Sequence, residues 1–178
     1  MITLSAPASL TGAPLAELKR WLSISTTGED ELLTGLIAAA LALCERFTGV
    51  MPFKCEVRQS FASPSSARSL GATPFIAPIE VEAVDGLQRR ALAPEDYAIG
   101  ITGEGTASFA LLTAIAEPQV EIRYLAGLAS EWPDIDEGLR QGVIRHAAHL
   151  YSEREQAEAA PLPASIAALW RPWRKLRL

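Results

Sequence analysis

The apolar residues of this chain change their period twice, and that switch limits the folds open to it. Leu32, Leu33, Leu36, Ile37, Ala40, Leu43, Cys44 and Phe47 recur every three or four positions, the mark of a helix with one wide apolar stripe. From Pro52 the period falls to two: Cys55, Val57, Gln59 and Phe61 alternate with Glu56, Arg58 and Ser60, as in a strand with one buried face. Beyond Ala126-Gly127 the helical period returns in Leu139, Val143, Ala147, Leu150 and Tyr151. A wide stripe must be covered, and the two long helices are each other's natural partners in antiparallel packing. The strand block then reads as an insertion between them.

Turn and cap residues set the boundaries. Pro14 suits a first helical turn, giving a short helix over about 14–22. Thr27 as N-cap, with Glu29, Asp30 and Glu31 complementing the helix dipole, opens a helix over about 28–48 that Gly49 closes. Asp134 or Asp136 caps a second long helix, about 136–156. Between them, Ala62 to Thr73 reads as a Ser-rich loop, and Ile79 to Val84 runs into the hairpin signal Asp85-Gly86 before Leu87 to Leu92. Tyr97 to Ile101, Ser108 to Thr113 and Gln119 to Leu125 complete about five short antiparallel strands over 54–125. The expected class is α+β: an antiparallel core of two long helices plus a short N-terminal one, a small inserted antiparallel β region, and a basic C-terminal tail. Gln156 to Ala164 reads as an Ala, Glu and Pro linker to that tail.

The tail is the steepest charge feature. Residues 161–178 carry Arg171, Arg174, Lys175 and Arg177 and no acid, while the rest of the chain, with 12 cations against 21 acids, carries −9. Leu169, Trp170, Trp173, Leu176 and Leu178 are interleaved among the cations. Indole and guanidinium groups together make an effective anchor on a partner protein; the alternative is that the segment folds back on its own acidic body. The acidic remainder does not suit broad duplex-DNA binding, which depends on Lys and Arg neutralising phosphates. It suits a surface that DNA slides past, and acidic outer helix faces are expected to repel packaged DNA.

Other chemistry finds little support. His146 and His149 lie three apart with Glu153 four beyond, but no second ligand pair accompanies them, so half-buried packing residues are the better reading and no metal is assigned. No Gly-rich phosphate loop, Cys-x-x-Cys or Gly-x-Ser-x-Gly elbow occurs; catalytic residues and cofactors are both read as none, and the chain as no enzyme. Cys44 and Cys55 read as thiols of a reducing compartment. With no N-terminal signal pattern and no run of roughly eighteen apolar residues, a soluble protein made in the cytoplasm is expected, with no membrane partner.

The helix start Gly28-Glu29-Asp30-Glu31-Leu32-Leu33, the run Leu36 to Ala40 continuing to Glu45-Arg46-Phe47-Thr48-Gly49, and Tyr124-Leu125-Ala126-Gly127 resemble the head-tail connector family of tailed phages and gene transfer agents. Leu139 to Ile144, His149 to Glu155 and the closing Leu169 to Leu178 extend the resemblance over nearly the whole chain from Leu15. It implies a single connector domain over 1–160 with a docking tail at 161–178. It also implies a structural adaptor, assembled in the bacterial cytoplasm, that forms a ring of about twelve copies under the portal of the DNA-filled head. The ring's other face receives a downstream neck or tail protein, and DNA passes through its channel without specific binding. Leu169, Trp170, Arg171, Trp173, Arg174, Lys175 and Arg177 are carried over as portal contacts. The alternative from another class is a small nucleic-acid-binding regulator gripping phosphates with the same tail.

Overall fold

The computed structural model describes residues 2–5 as backbone, and residues 9–103, 105–154 and 162–174 in full. Its order is β1 (Ile2–Ser5), α1 (Ala13–Leu22), α2 (Asp30–Thr48), β2 (Cys55–Ala62), β3 (Arg68–Ser69), β4 (Phe75–Asp85), β5 (Gln88–Ala91), β6 (Tyr97–Ile101), β7 (Ala107–Leu111), β8 (Gln119–Ala126), α3 (Glu137–Ser152) and α4 (Ala164–Trp170). Two compact units result. The strand unit comprises Met1–Pro7 and Lys54–Leu128, and the helical unit Ala8–Phe53 and Ala129–Leu178.

The expectation of a helical core carrying a small inserted sheet is corrected here. The strands form two antiparallel sheets, of order β1-β2-β8-β4-β5 and β3-β7-β6, with a core of their own. Val57 on β2, Val81 and Ala83 on β4, and Val120, Ile122 and Tyr124 on β8 are buried along one face of the larger sheet. Phe109 of the smaller sheet stacks on Phe61 at 6.5 Å between centroids and meets Tyr97 at 5.8 Å. That is enough apolar area for the strands to bury their own face, so they need no helix as a floor. The opposite face of the larger sheet is charged. Arg123 lies 3.3 Å from Glu56 and 3.2 Å from Glu80, and Arg89 bridges Glu82 and Glu121 at 2.7 and 2.6 Å. Such pairs add little stability but keep an outward face solvated.

Gln59, a polar side chain on the buried face of β2, has a structural task. Its Oε1 accepts from Gly71 N and from the Tyr124 hydroxyl, both at 3.0 Å, and that hydroxyl accepts from Ala72 N at 3.2 Å. The network closes the loop after β3 over the core. The hairpin signal at Asp85-Gly86 holds with its turn moved on by one residue: Asp85 pairs with Gln88, and Gly86, at φ 58°, and Leu87 make the turn.

In the helical unit α2 and α3 pack against each other. They run antiparallel: at one end the Tyr151 hydroxyl donates to Glu29 Oε2 at 2.6 Å, and at the other the Trp170 indole touches both Phe47 and Leu139. Asp136 caps α3, accepting from Gly138 N at 2.8 Å, whereas α2 begins at Asp30 with no side-chain cap in place of the expected Thr27. The second long helix stops at Ser152, short of Gln156, which lies outside the described residues. Arg154 stacks over Tyr151 at 4.2 Å and lies 3.7 Å from Glu29. The expected acidic outer face is absent from α2: between Glu31 and Arg46 it exposes Leu32, Gly35, Ala38, Ala39 and Ala42. No helix among the described residues is long and apolar enough to cross a membrane.

Tyr124→Phe deletes the hydroxyl at the centre of the Gln59 network. It is expected to cost about 1–3 kcal/mol in urea unfolding, because Gln59 and Ala72 N are left buried and underbonded.

Candidate partner-binding segment

The Trp and Arg cluster of the tail divides into two populations. Pro163 opens α4, its carbonyl accepting from Ile166 N and Ala167 N at 3.0 Å, and Ile166 and Trp170 turn inward one turn apart. Trp170 is completely buried. Its Nε1 donates to the Leu139 carbonyl at 3.2 Å, its ring lies 6.0 Å from Phe47, and it meets His146 edge-on at 6.2 Å and 75°. The notch that receives it exists because residue 142 is glycine: a Cβ there would stand 2.1 Å from Trp170 Nε1. α4 is thus keyed into α3, and the described part of the tail folds onto its own helical unit.

After Trp170 the chain tightens into a 3-10 turn, Arg171–Trp173. Arg171 and Arg174 are exposed, Leu169 and Trp173 are half-buried, and Arg174 lies over Phe47 with Cζ 5.6 Å from the ring centroid. Of the seven residues expected to contact a partner, Trp170 is taken up inside the fold, Arg171 and Arg174 face solvent, and Lys175 and Arg177 lie outside the described residues. The composition of the segment concealed its anchor, since Trp among Arg marks a core plug as readily as an interface. Gly142, the other half of the lock, gave no signal in the sequence.

His146 lines the same notch. It is buried, its Nδ1 has no hydrogen-bond partner among the described residues, and burial, with a smaller contribution from His149, holds its pKa below the usual imidazole value. His149 Nε2 lies 3.2 Å from Glu153 Oε2, off hydrogen-bond geometry. No group of three or more His, Cys, Asp or Glu among the described residues is arranged to hold a metal ion. Cys44 is buried, which pushes its thiol up to about 12 and leaves it un-ionised near neutrality.

No protein-family model matches this chain, and no curated protein sequence is similar to it. Among the solved structures that share its fold are three for which the match covers 100% of this chain and 97% of the matched one. They are the neck of an empty gene transfer agent particle computed with C6 symmetry (TM-score 0.83, 23% identity), the neck of a native particle computed with C12 symmetry (0.80, 24%), and the virion of a native gene transfer agent particle (0.78, 22%). The fold of this chain is therefore similar to that of a chain from such particles.

Gly142→Ala drives a methyl into the Trp170 ring and is expected to cost at least about 1–3 kcal/mol, and Trp170→Ala about 3–5 kcal/mol, both read from chemical unfolding. The depressed pKa of His146 sets a pH dependence. The unfolded chain takes up this proton first, so stability is fully present above about pH 6.5 and falls as pH drops through the unfolded value toward the folded one. Unfolding midpoints measured between pH 7.5 and about 5 should show this slope, and His146→Gln should flatten it.

Proposed function

We propose that this chain is a structural, non-enzymatic adaptor in the neck of a phage-like particle of the gene transfer agent kind, where its copies form a ring beneath the portal. The ring joins the DNA-filled head to the next neck or tail protein. The observation that carries this reading is the full-length likeness of fold to chains of gene transfer agent necks. Those necks were computed with C6 and C12 symmetry, and a ring of twelve is the number assigned here. Cyclic repetition makes many modest contacts act together, so each copy needs only a small docking surface.

That surface is the basic C-terminal segment. Trp170 fixes the base of the segment, so Arg171 and Arg174 leave the body at a defined place, and Lys175 and Arg177 continue the run of cations without an acid. Guanidinium groups held at a fixed origin lose less freedom on binding than those of a free tail. Their complement is an acidic surface on the portal. DNA crosses the ring without being gripped, in keeping with the net charge of −5.

The double charge reversal Arg171→Glu with Arg174→Glu tests the docking role. Both side chains are exposed, so the unfolding free energy should change by no more than about 1 kcal/mol, chiefly through the lost Arg174 contact with Phe47. Capture of the portal encoded beside this chain should fall sharply, and the wild-type interaction should weaken with added salt. Undiminished capture by the variant would contradict the assignment.

A further inference from the structure

At one end of the strand unit the β4–β5 turn and the β7–β8 loop present apolar side chains that the unit itself leaves uncovered. Leu87, the second residue of the Gly86-Leu87 turn, is 101% exposed, and Leu112, just beyond β7, is 62% exposed. Turns of this length favour glycine and small polar residues, and a fully exposed leucine adds nothing to its own hairpin. The mount beneath it is nevertheless braced. Besides the Arg89 bridge to Glu82 and Glu121, Arg90 grips Glu117 with two bonds, at 2.7 and 3.0 Å, tying the hairpin to the β7–β8 loop. Asp96 holds that loop in turn: its carbonyl accepts from Leu112 N at 2.8 Å, and its Oδ1 accepts from Thr113 Oγ1 at 2.9 Å. An apolar knob on a stiff base loses little freedom when a partner covers it.

The helical unit contains a groove of matching character. Leu15, Ala16 and Ile24 line it beside Thr11, Gly12, Lys19 and Arg20, and it is an open depression of about 400 Å³. Since a cavity of about 150 Å³ accommodates benzene, the groove has room for a leucine side chain and part of the turn that carries it. Asp85 beside the knob and Arg20 at the groove are both exposed and have no ion-pair partner among the described residues. A closed ring is built from head-to-tail contacts, in which two different patches of one chain meet between neighbours. Resting on the ring reading above, the geometry points to a contact between copies in which Leu87 of one copy seats in the α1 groove of the next, with Asp85 facing Arg20.

Native mass spectrometry of the full chain over a rising concentration series tests this, using wild type, Leu87→Asp, Asp85→Arg, Arg20→Asp and the Asp85→Arg/Arg20→Asp double variant. All the altered side chains but that of Leu87 are charged and exposed, and Leu87 supports nothing in its own chain, so each variant should keep its unfolding midpoint. Wild type should self-associate, Leu87→Asp at least about tenfold more weakly, each single charge reversal less strongly than wild type, and the double variant should recover. Association of Leu87→Asp at wild-type strength, a double variant no better than the singles, or a wild-type chain monomeric at every concentration would overturn the contact. Portal capture through the tail is measured separately. A ring that forms with Leu87→Asp removes this contact and leaves the neck reading standing.

Discussion

The indole of Trp170, seated against Gly142 between Phe47 and His146, is the contact on which the organisation of the C-terminal half depends. It joins the last turn of α2, the first three turns of α3 from Leu139 to His146 and the end of α4 at one point, and its N–H is satisfied by the Leu139 carbonyl. A seven-residue helix has too few internal bonds to hold itself together in water, so α4 exists because burial at this site offsets the cost of ordering it. The exposed Arg171 and Arg174 follow directly after α4, and the lock therefore decides where those two cations stand on the helical unit. Packing, at this point, is the means by which the chain aims its basic segment.

The two units solve the burial problem separately. In the strand unit two sheets share an apolar interior, the Gln59 and Tyr124 pair closes a loop over it, and an ion-paired face is turned outward. In the helical unit the stripe of α2 is covered by α3, and α4 is added across their end. Such a division lets the strand unit project loops without disturbing the helical pair. Leu87 and Leu112 are presented on loops of that kind, braced by arginine bridges rather than by a core.

Much of this was legible in the sequence where one physical signal dominates. The long helices could be read because a 3.6-residue period sustained over Leu32 to Phe47 has few competing explanations, and Gly49 and Asp136 cap as their chemistry directs. The Asp85-Gly86 hairpin was legible for the same reason, apart from a shift of one residue. The elements that escaped were too short or too mixed to show a period. β1 and β3 are four and two residues long, and the first part of β4, ahead of the legible Ile79 to Val84, carries a proline and two register irregularities that break its alternation. Without them the strands looked too few to own a core, and the fold class was misjudged. The site was half legible: charge marked the segment, but a Trp that plugs a notch and a Trp that meets a partner look alike until Gly142 is seen beneath the ring.

The most direct test of the central claim is to locate this chain in intact particles from its source by cryo-electron microscopy, with a small rigid tag on the exposed loop between β2 and β3, at Ser65 to Ala67, to identify its density. The expected result is a cyclic band of tag density at the neck, between the head vertex and the tail. Tag density on the capsid shell or distal tail, or particles of normal composition that lack the chain, would contradict it.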